Sequence, residues 1–319
     1  MADRRQLSAS GHTGFGRRLL LRSALALPLA ACAKPDAPAI VPAGSDPVSS
    51  ARVDPVAAED HFAALERKYD ARLGVYAMAT GTSVAIAYHA DDPFAFASTY
   101  QTLAAAAVLR QRPLSYLDTV VRYVPEDVNS FSPVTREHIE TGLTIRELCD
   151  AAVRFGDGTA AGLLMRDIGG PEQLTAYLRS LGDTVSRIDL YEPELGGVAP
   201  GDPRGATTPR ALAADYQQIV LRAALAPQQE VLLKDWLEHG TTGADTIRAG
   251  VPAGWTVAGQ AGLGGYGRAC DAAVVRPPGG APLVLTVLTD RPGPADEPRP
   301  AMIADAARYV IGALYRTPR

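Results

Sequence analysis

Apolar residues recur at helical spacing between Glu59 and Ala71, at Phe62, Leu65 and Tyr69, and predict an amphipathic helix. Two runs with strand character follow, Leu73 to Met78 and Ser83 to Tyr88, split by Thr80-Gly81, and together predict a hairpin. From Ser98 to about Lys234 the pattern is helical almost throughout, punctuated at Pro113, Gly142, Gly169-Gly170-Pro171 and a Pro/Gly-rich stretch from Pro193 to Pro209. Strand-like runs return at Trp255–Ala261, Tyr266–Arg276 and Pro282–Thr289, and a last helix is expected from Pro300 to about Tyr315. Strands at both ends of the chain with helices between them predict an α+β fold. Its antiparallel sheet, flanked by helices, is built from both ends, and an all-helical lobe is inserted over residues 96–239 or so. No internal repeat is visible.

The first thirty-one residues differ in kind from the rest. Arg17-Arg18 precede an apolar run from Leu19 to Leu29 that is broken by Arg22 and Ser23, and Leu29-Ala-Ala-Cys32 follows. The run is too short to span a bilayer, so residues 1–31 are expected to be an export signal, with the twin arginines suggesting the Tat route. Leu-Ala-Ala-Cys resembles a lipobox, which would make Cys32 a lipidated N-terminus; a chance small-residue cleavage site beside a cysteine would look the same. Lipidation is favoured because no later stretch competes as an anchor and the Pro/Ala/Ser-rich segment after Cys32 reads as a tether. The expected organisation is therefore signal 1–31, tether 32–57 and folded domain 58–319, on an exported lipoprotein that meets the membrane only through its lipid.

Charge and cysteines narrow the partners. Residues 1–31 hold five arginines against Asp3, so their removal takes the net charge from −4 to −8. With no basic cluster interleaved with aromatics, nucleic acid is not an expected partner and a small molecule is. A monomer is expected. Neither the cysteines nor the five scattered histidines have metal-ligand spacing, so no metal or other cofactor is expected. Cys149 and Cys270 are expected to be reduced and buried.

Phe96-Ala-Ser98-Thr-Tyr-Gln101, followed by an alanine-rich helical run, carries the first chemistry. Ser98 opens a helix whose dipole would favour a developing alkoxide, although a plain N-cap serine would sit there equally well. The residue one turn later is placed to take the serine's proton, and it is Gln101, which cannot.

Several further segments recur in order: Phe131-Ser-Pro-Val-Thr135, Gly142-Leu-Thr-Ile-Arg-Glu-Leu-Cys149, Asp157-Gly-Thr-Ala-Ala161, Glu192-Pro-Glu-Leu195, Pro200-Gly-Asp-Pro-Arg204 and Gly254-Trp-Thr-Val257. With Ser98 they resemble the class A serine β-lactamases, in their actinobacterial branch, from about Glu59 to the end of the chain. The resemblance implies the β-lactamase/transpeptidase-like fold and a seryl acyl-enzyme on Ser98. It implies that Glu192 is the carboxylate that works through a water, and that the N–H groups of Ser98 and Leu263 form an oxyanion hole. Against the family's S-x-x-K, S-D-N and K-T-G, this chain has Gln101 for the first lysine, Gly156-Asp157-Gly158 for the second motif and Gln260-Ala261-Gly262 for the third. Asp157 is expected to serve a helix start, and Gly158 is tolerated in this branch. Arg248 matches a carboxylate-binding arginine, with a surface arginine as the alternative. Ala105 stands where some relatives place the cysteine that bridges to Cys149's position. Gly196 replaces a water-holding asparagine, and Leu190 with Gly205 replaces an ion pair that ties the Glu192 loop, which predicts a looser loop.

These replacements keep three functions open. One is β-lactam hydrolysis, feeble or absent, since losing one member of a serine-hydrolase set costs on the order of 10⁴–10⁶ in rate. The others are a non-catalytic binder or decoy for β-lactams or peptidoglycan fragments, and a repurposed acyl-transfer enzyme.

Overall fold

Asp54 decides where the chain first becomes regular. Its carboxylate accepts the N–H groups of Val56 at 3.0 Å and Ala57 at 3.3 Å, and Pro55 fills the first helical position. Helix α1 (Pro55–Tyr69) therefore starts earlier than the apolar spacing indicated in the computed structural model, which describes residues 53–315. The last three residues of the expected tether, 55–57, are helical; the rest of the tether, Cys32 and the signal lie outside the described residues.

A hairpin of β1 (Arg72–Ala79) and β2 (Val84–Tyr88) follows, and β3 (Phe94–Ala95) leads through a 3-10 turn, Ala97–Thr99, into α2 (Tyr100–Gln111). The middle of the chain holds the short ladder β4 (Val120–Val121) with β5 (Leu143–Thr144), helices α3 (Ile145–Phe155), α4 (Gly158–Asp167) and α5 (Pro171–Leu181), the small strands β6 (Arg187–Ile188) and β7 (Gly205–Thr207), and helices α6 (Pro209–Leu221) and α7 (Pro227–Glu238). A single turn, α8 (Ile247–Gly250), precedes β8 (Thr256–Gly264), β9 (Arg268–Arg276), β10 (Leu283–Asp290) and α9 (Pro300–Leu314). The expected helical stretch thus carries four minor strands, too short for a period-2 pattern to register.

The main sheet is antiparallel with order β2-β1-β10-β9-β8, so the two ends of the chain meet where β1 pairs β10 in the register Val75↔Val287. Both faces are covered. Ala273, Val275 and Leu285 pack against Phe62, Met302 and Val310 of α1 and α9, whereas Ala272, Val274 and Val284 join the core of the helical region. Two-sided burial is why β10 reads as a continuous apolar run rather than an alternating one. Two features position the site. Strand β8 is an edge strand, and α2 is buried from Tyr100 to Leu109, its alanines 104–107 letting other helices approach closely. Cys149 and Cys270 are buried free thiols, and burial raises both pKa values, Cys270 to about 12.

Candidate active site

Ser98 lies in the 3-10 turn ahead of α2, where the free edge of β8 passes over it. A Cβ on Gly262 would collide with Ser98 N and come within 2.8 Å of Ser98 Cβ, so glycine is required for this approach. Ala97, immediately before, is held at φ 45°, a left-handed conformation that a β-carbon disfavours. Among the described residues no side chain hydrogen-bonds Ser98, and it does not cap α2 as a plain N-cap serine would. It opens onto a cavity of about 360 Å³ that brings together most of the expected site: Ser98, Gln101, Gly156, Gly158, Glu192, Ala261, Gly262 and Leu263.

Beneath the serine the chain has built a neutral amide pair. Gln260, fully buried, donates from Nε2 to Gln101 Oε1 at 2.9 Å and to Ala152 O at 2.8 Å; its Oε1 accepts Thr102 N–H at 3.0 Å and Thr102 Oγ1–H at 2.5 Å. All four hydrogen-bonding positions of that amide are filled, which is the condition for burying one without loss. The oxygen also caps the first turn of α2, a position that would repel an ammonium. Gln101, 2% exposed, completes the pair with a long contact from Nε2 to Gly156 O at 3.4 Å.

Gly156 ends α3 with φ 68°, and a Cβ there would meet Thr242 Cγ2 at 3.1 Å. Asp157 is wholly buried and structural in its contacts. One carboxylate oxygen accepts Ala160 N–H at 2.9 Å, capping α4, while the other takes the N–H groups of Val134 and Thr135 at 2.9 and 2.8 Å. Gly158 leaves a space that the Asn129 side chain fills, since a Cβ would lie against its Nδ2 and 3.0 Å from its Oδ1.

Glu192 lines the same cavity, on a loop with a cis Glu192–Pro193 peptide. Its Oε2 accepts Gly196 N–H at 3.1 Å and would lie 2.8 Å from a Cβ at that position, so the carboxylate occupies part of the space an asparagine would need. Burial, chiefly, raises its pKa above the usual carboxylate range, and the neighbouring Glu194 adds to this; the Gly196 N–H, Arg268 and Tyr100 oppose it. The expectation of a looser loop is met by a tie absent from the sequence reading. Arg268 at the start of β9, 1% exposed, donates from Nη1 to Gly196 O at 2.9 Å and from Nη2 to Val198 O. Leu195 also packs into the space over Gly205.

Arg248 does not join the site. Its guanidinium donates to Leu237 O at 2.8 Å and Glu238 O at 3.3 Å, closing the C-terminal turn of α7, and burial lowers its pKa. The expected carboxylate-binding arginine is thus not among the residues that line the cavity, and its Nη2 is engaged by backbone carbonyls rather than free at the surface. In place of Arg248 the cavity gathers Asn129, Ser130, Phe131, Thr242 and Arg268, which the sequence reading did not single out as site residues. Tyr266-Gly267-Arg268 directly follows the β8 glycines, so position alone marks Arg268; nothing in the sequence marks Thr242, whose Oγ1 accepts Ala261 N–H at 3.3 Å.

The family model described as "Beta-lactamase enzyme family" matches residues 57–314. A protein named "Beta-lactamase" from Mycobacterium tuberculosis is 50% identical over 308 residues, covering 94% of this chain and 98% of that protein. A solved β-lactamase from Streptomyces albus G superposes with a TM-score of 0.79 at 42% identity, covering 81% of this chain and 99% of that one. A class A β-lactamase from Clostridium kluyveri does so with a TM-score of 0.79 at 41% identity, over 81% and 98%.

Proposed function

The chain belongs to the class A β-lactamase enzyme family, and from that premise we propose that it opens β-lactam rings through an acyl-enzyme on Ser98, and does so slowly. The observation that carries this reading is the amide pair: Ser98 keeps its cavity, its strained turn and the close β8 backbone, but the groups beneath it, Gln101 and Gln260, hold no exchangeable base. The N–H groups of Ser98 and Leu263 would stabilise the oxyanion, since no side-chain replacement removes them. Gly156 offers no hydroxyl to hand a proton to the departing nitrogen. Glu192 would activate the deacylating water once ionised, and its raised pKa moves that activity to higher pH. The same amide pair favours, as a second reading, a binder that retains the cleft without turnover.

Exposure to labelled penicillin followed by intact-protein mass spectrometry separates these. The first reading expects a slowly formed adduct lost in Ser98→Ala; absence of any adduct at millimolar penicillin removes acylation by penicillin and favours the binder. Chromogenic-cephalosporin turnover on the order of 10 per second or more would refute slow hydrolysis. Export and lipidation at Cys32 remain part of the proposal, and a Cys32→Ser variant that stays membrane-bound like the parent would remove the lipidation.

A further inference from the structure

The charge of the cleft points to what it accepts, and it is short of usable cations. Among the described residues lining it, Arg268 is the one cation and Glu192 the one acid. Arg268 is committed: Nη1 and Nη2 hold the carbonyls of Gly196 and Val198, and its Nε, without a partner, is itself buried. Arg248 does not line the cavity, and its Nη2 is held by the end of α7. Lys68 is paired with Asp305 at 2.7 Å and Lys234 with Glu238 at 3.7 Å, both outside the cavity. The floor is the filled amide pair, and the rim is apolar, with Phe131 62% and Leu263 57% exposed. Asn129 Oδ1 accepts Phe131 N–H at 3.1 Å and Ser132 Oγ–H at 2.8 Å, which leaves Nδ2 of this cavity-lining side chain, seated over Gly158, as a neutral donor for a carbonyl.

We infer that this cleft selects uncharged acyl donors, β-lactams or esters that carry no carboxylate near the bond that breaks. The inference rests on the acyl-transfer reading above and names its substrate class. A ligand carboxylate would lose its water without gaining a partner and would face Glu192, whereas a neutral ligand gives up nothing comparable. In the step itself a bond forms between Ser98 Oγ and the carbonyl carbon, and the lactam C–N or ester C–O bond breaks. The proton leaving Ser98 Oγ ends, carried by water, on the departing nitrogen or oxygen.

The test compares benzylpenicillin with its methyl ester and its primary amide, the amide controlling for apolarity. Rates of adduct formation on the full chain are read by intact-protein mass spectrometry. Both neutral forms should label Ser98 faster than the acid by about tenfold or more, the equivalent of about 1.4 kcal/mol. Leu263→Arg, which sets a cation on the rim, should swing the ratio back toward the acid. An acid that labels as fast as the neutral forms overturns the inference, as does a neutral-form adduct that survives Ser98→Ala. If none of the three acylates, the acyl-transfer reading fails separately, and equilibrium binding of the same compounds to Ser98→Ala then decides selectivity. Tighter binding of the ester and amide sustains it; tighter or equal binding of the acid, or no binding of any at millimolar concentration, overturns it.

Discussion

Replacing Gln101 by lysine puts a proton acceptor back beneath Ser98 and tests what the amide pair contributes. The new side chain enters a site 2% exposed and removes the acceptor for one Gln260 Nε2 proton, leaving Ala152 O for the other. An orphaned buried donor costs about 1–3 kcal/mol. Burial depresses the lysine pKa, and keeping the amine neutral near pH 7.5 instead of protonated below about 10.4 costs about 4 kcal/mol. The expected loss is therefore about 5–7 kcal/mol, or roughly 10 °C or more in Tm. Gln101→Met shares the orphaned donor but not the amine, so the difference between the two variants isolates the lysine. Because the unfolded lysine binds its proton at higher pH than the folded one, stability of Gln101→Lys rises with pH between the depressed pKa and about 10.4, and the gap to Gln101→Met closes in that window. The neutral amine is also the form that can deprotonate Ser98, so penicillin adducts should form faster as pH rises from 6 to 9. Thermal unfolding and adduct kinetics across that range provide both readouts. A gap that is absent or independent of pH, with adduct formation no faster than in the parent, would refute the assignment of Gln101 as the missing base position.

Other consequences follow from the geometry of the cleft and sheet. Arg268→Ala should lose about 2–4 kcal/mol from its two carbonyl bonds and open residues 192–198 to hydrogen exchange, which mass spectrometry of peptic fragments would detect; unchanged protection there means the loop is held otherwise. Gly262→Ala should stay folded but slow any acylation by on the order of 10² or more, because the new methyl displaces Ser98. Asp271, buried with its pKa raised to about 6 mainly by desolvation, binds its proton more tightly folded than unfolded, so stability falls as pH rises from about 4 to 6, by about 3 kcal/mol. Asp271→Asn should flatten that fall in Tm-against-pH profiles; an unchanged profile assigns it to other groups, such as Asp215, whose pKa is raised by burial and by Asp183.

The close contacts of the two loop glycines also limit repair by substitution. Serine at Gly156 must adopt φ 68°, and asparagine at Gly196 must displace a Glu192 oxygen that would lie 2.8 Å from its Cβ. Each has to overcome local strain before it can restore chemistry, so restoring motif residues one at a time meets an adapted backbone rather than an unchanged socket.

What the sequence determined by itself is the part governed by periodicity and local rules. Strand-like runs at both ends with helices between imply the sheet, because each apolar face needs a partner and the ends supply the strands. The order of motifs singled out Ser98, Glu192 and Gly262, which the structure gathers around one cavity, and Asp157, which caps α4. Tertiary structure alone decided what the replaced residues do. Gln101 and Gln260 are 159 residues apart, and only their meeting shows that two substitutions form one filled hydrogen-bonded unit. Arg248 and Arg268 are both arginines near plausible motifs, yet one closes α7 and the other ties down the Glu192 loop. A guanidinium's direction is set by which carbonyls lie within reach after folding, and no local pattern encodes that distance.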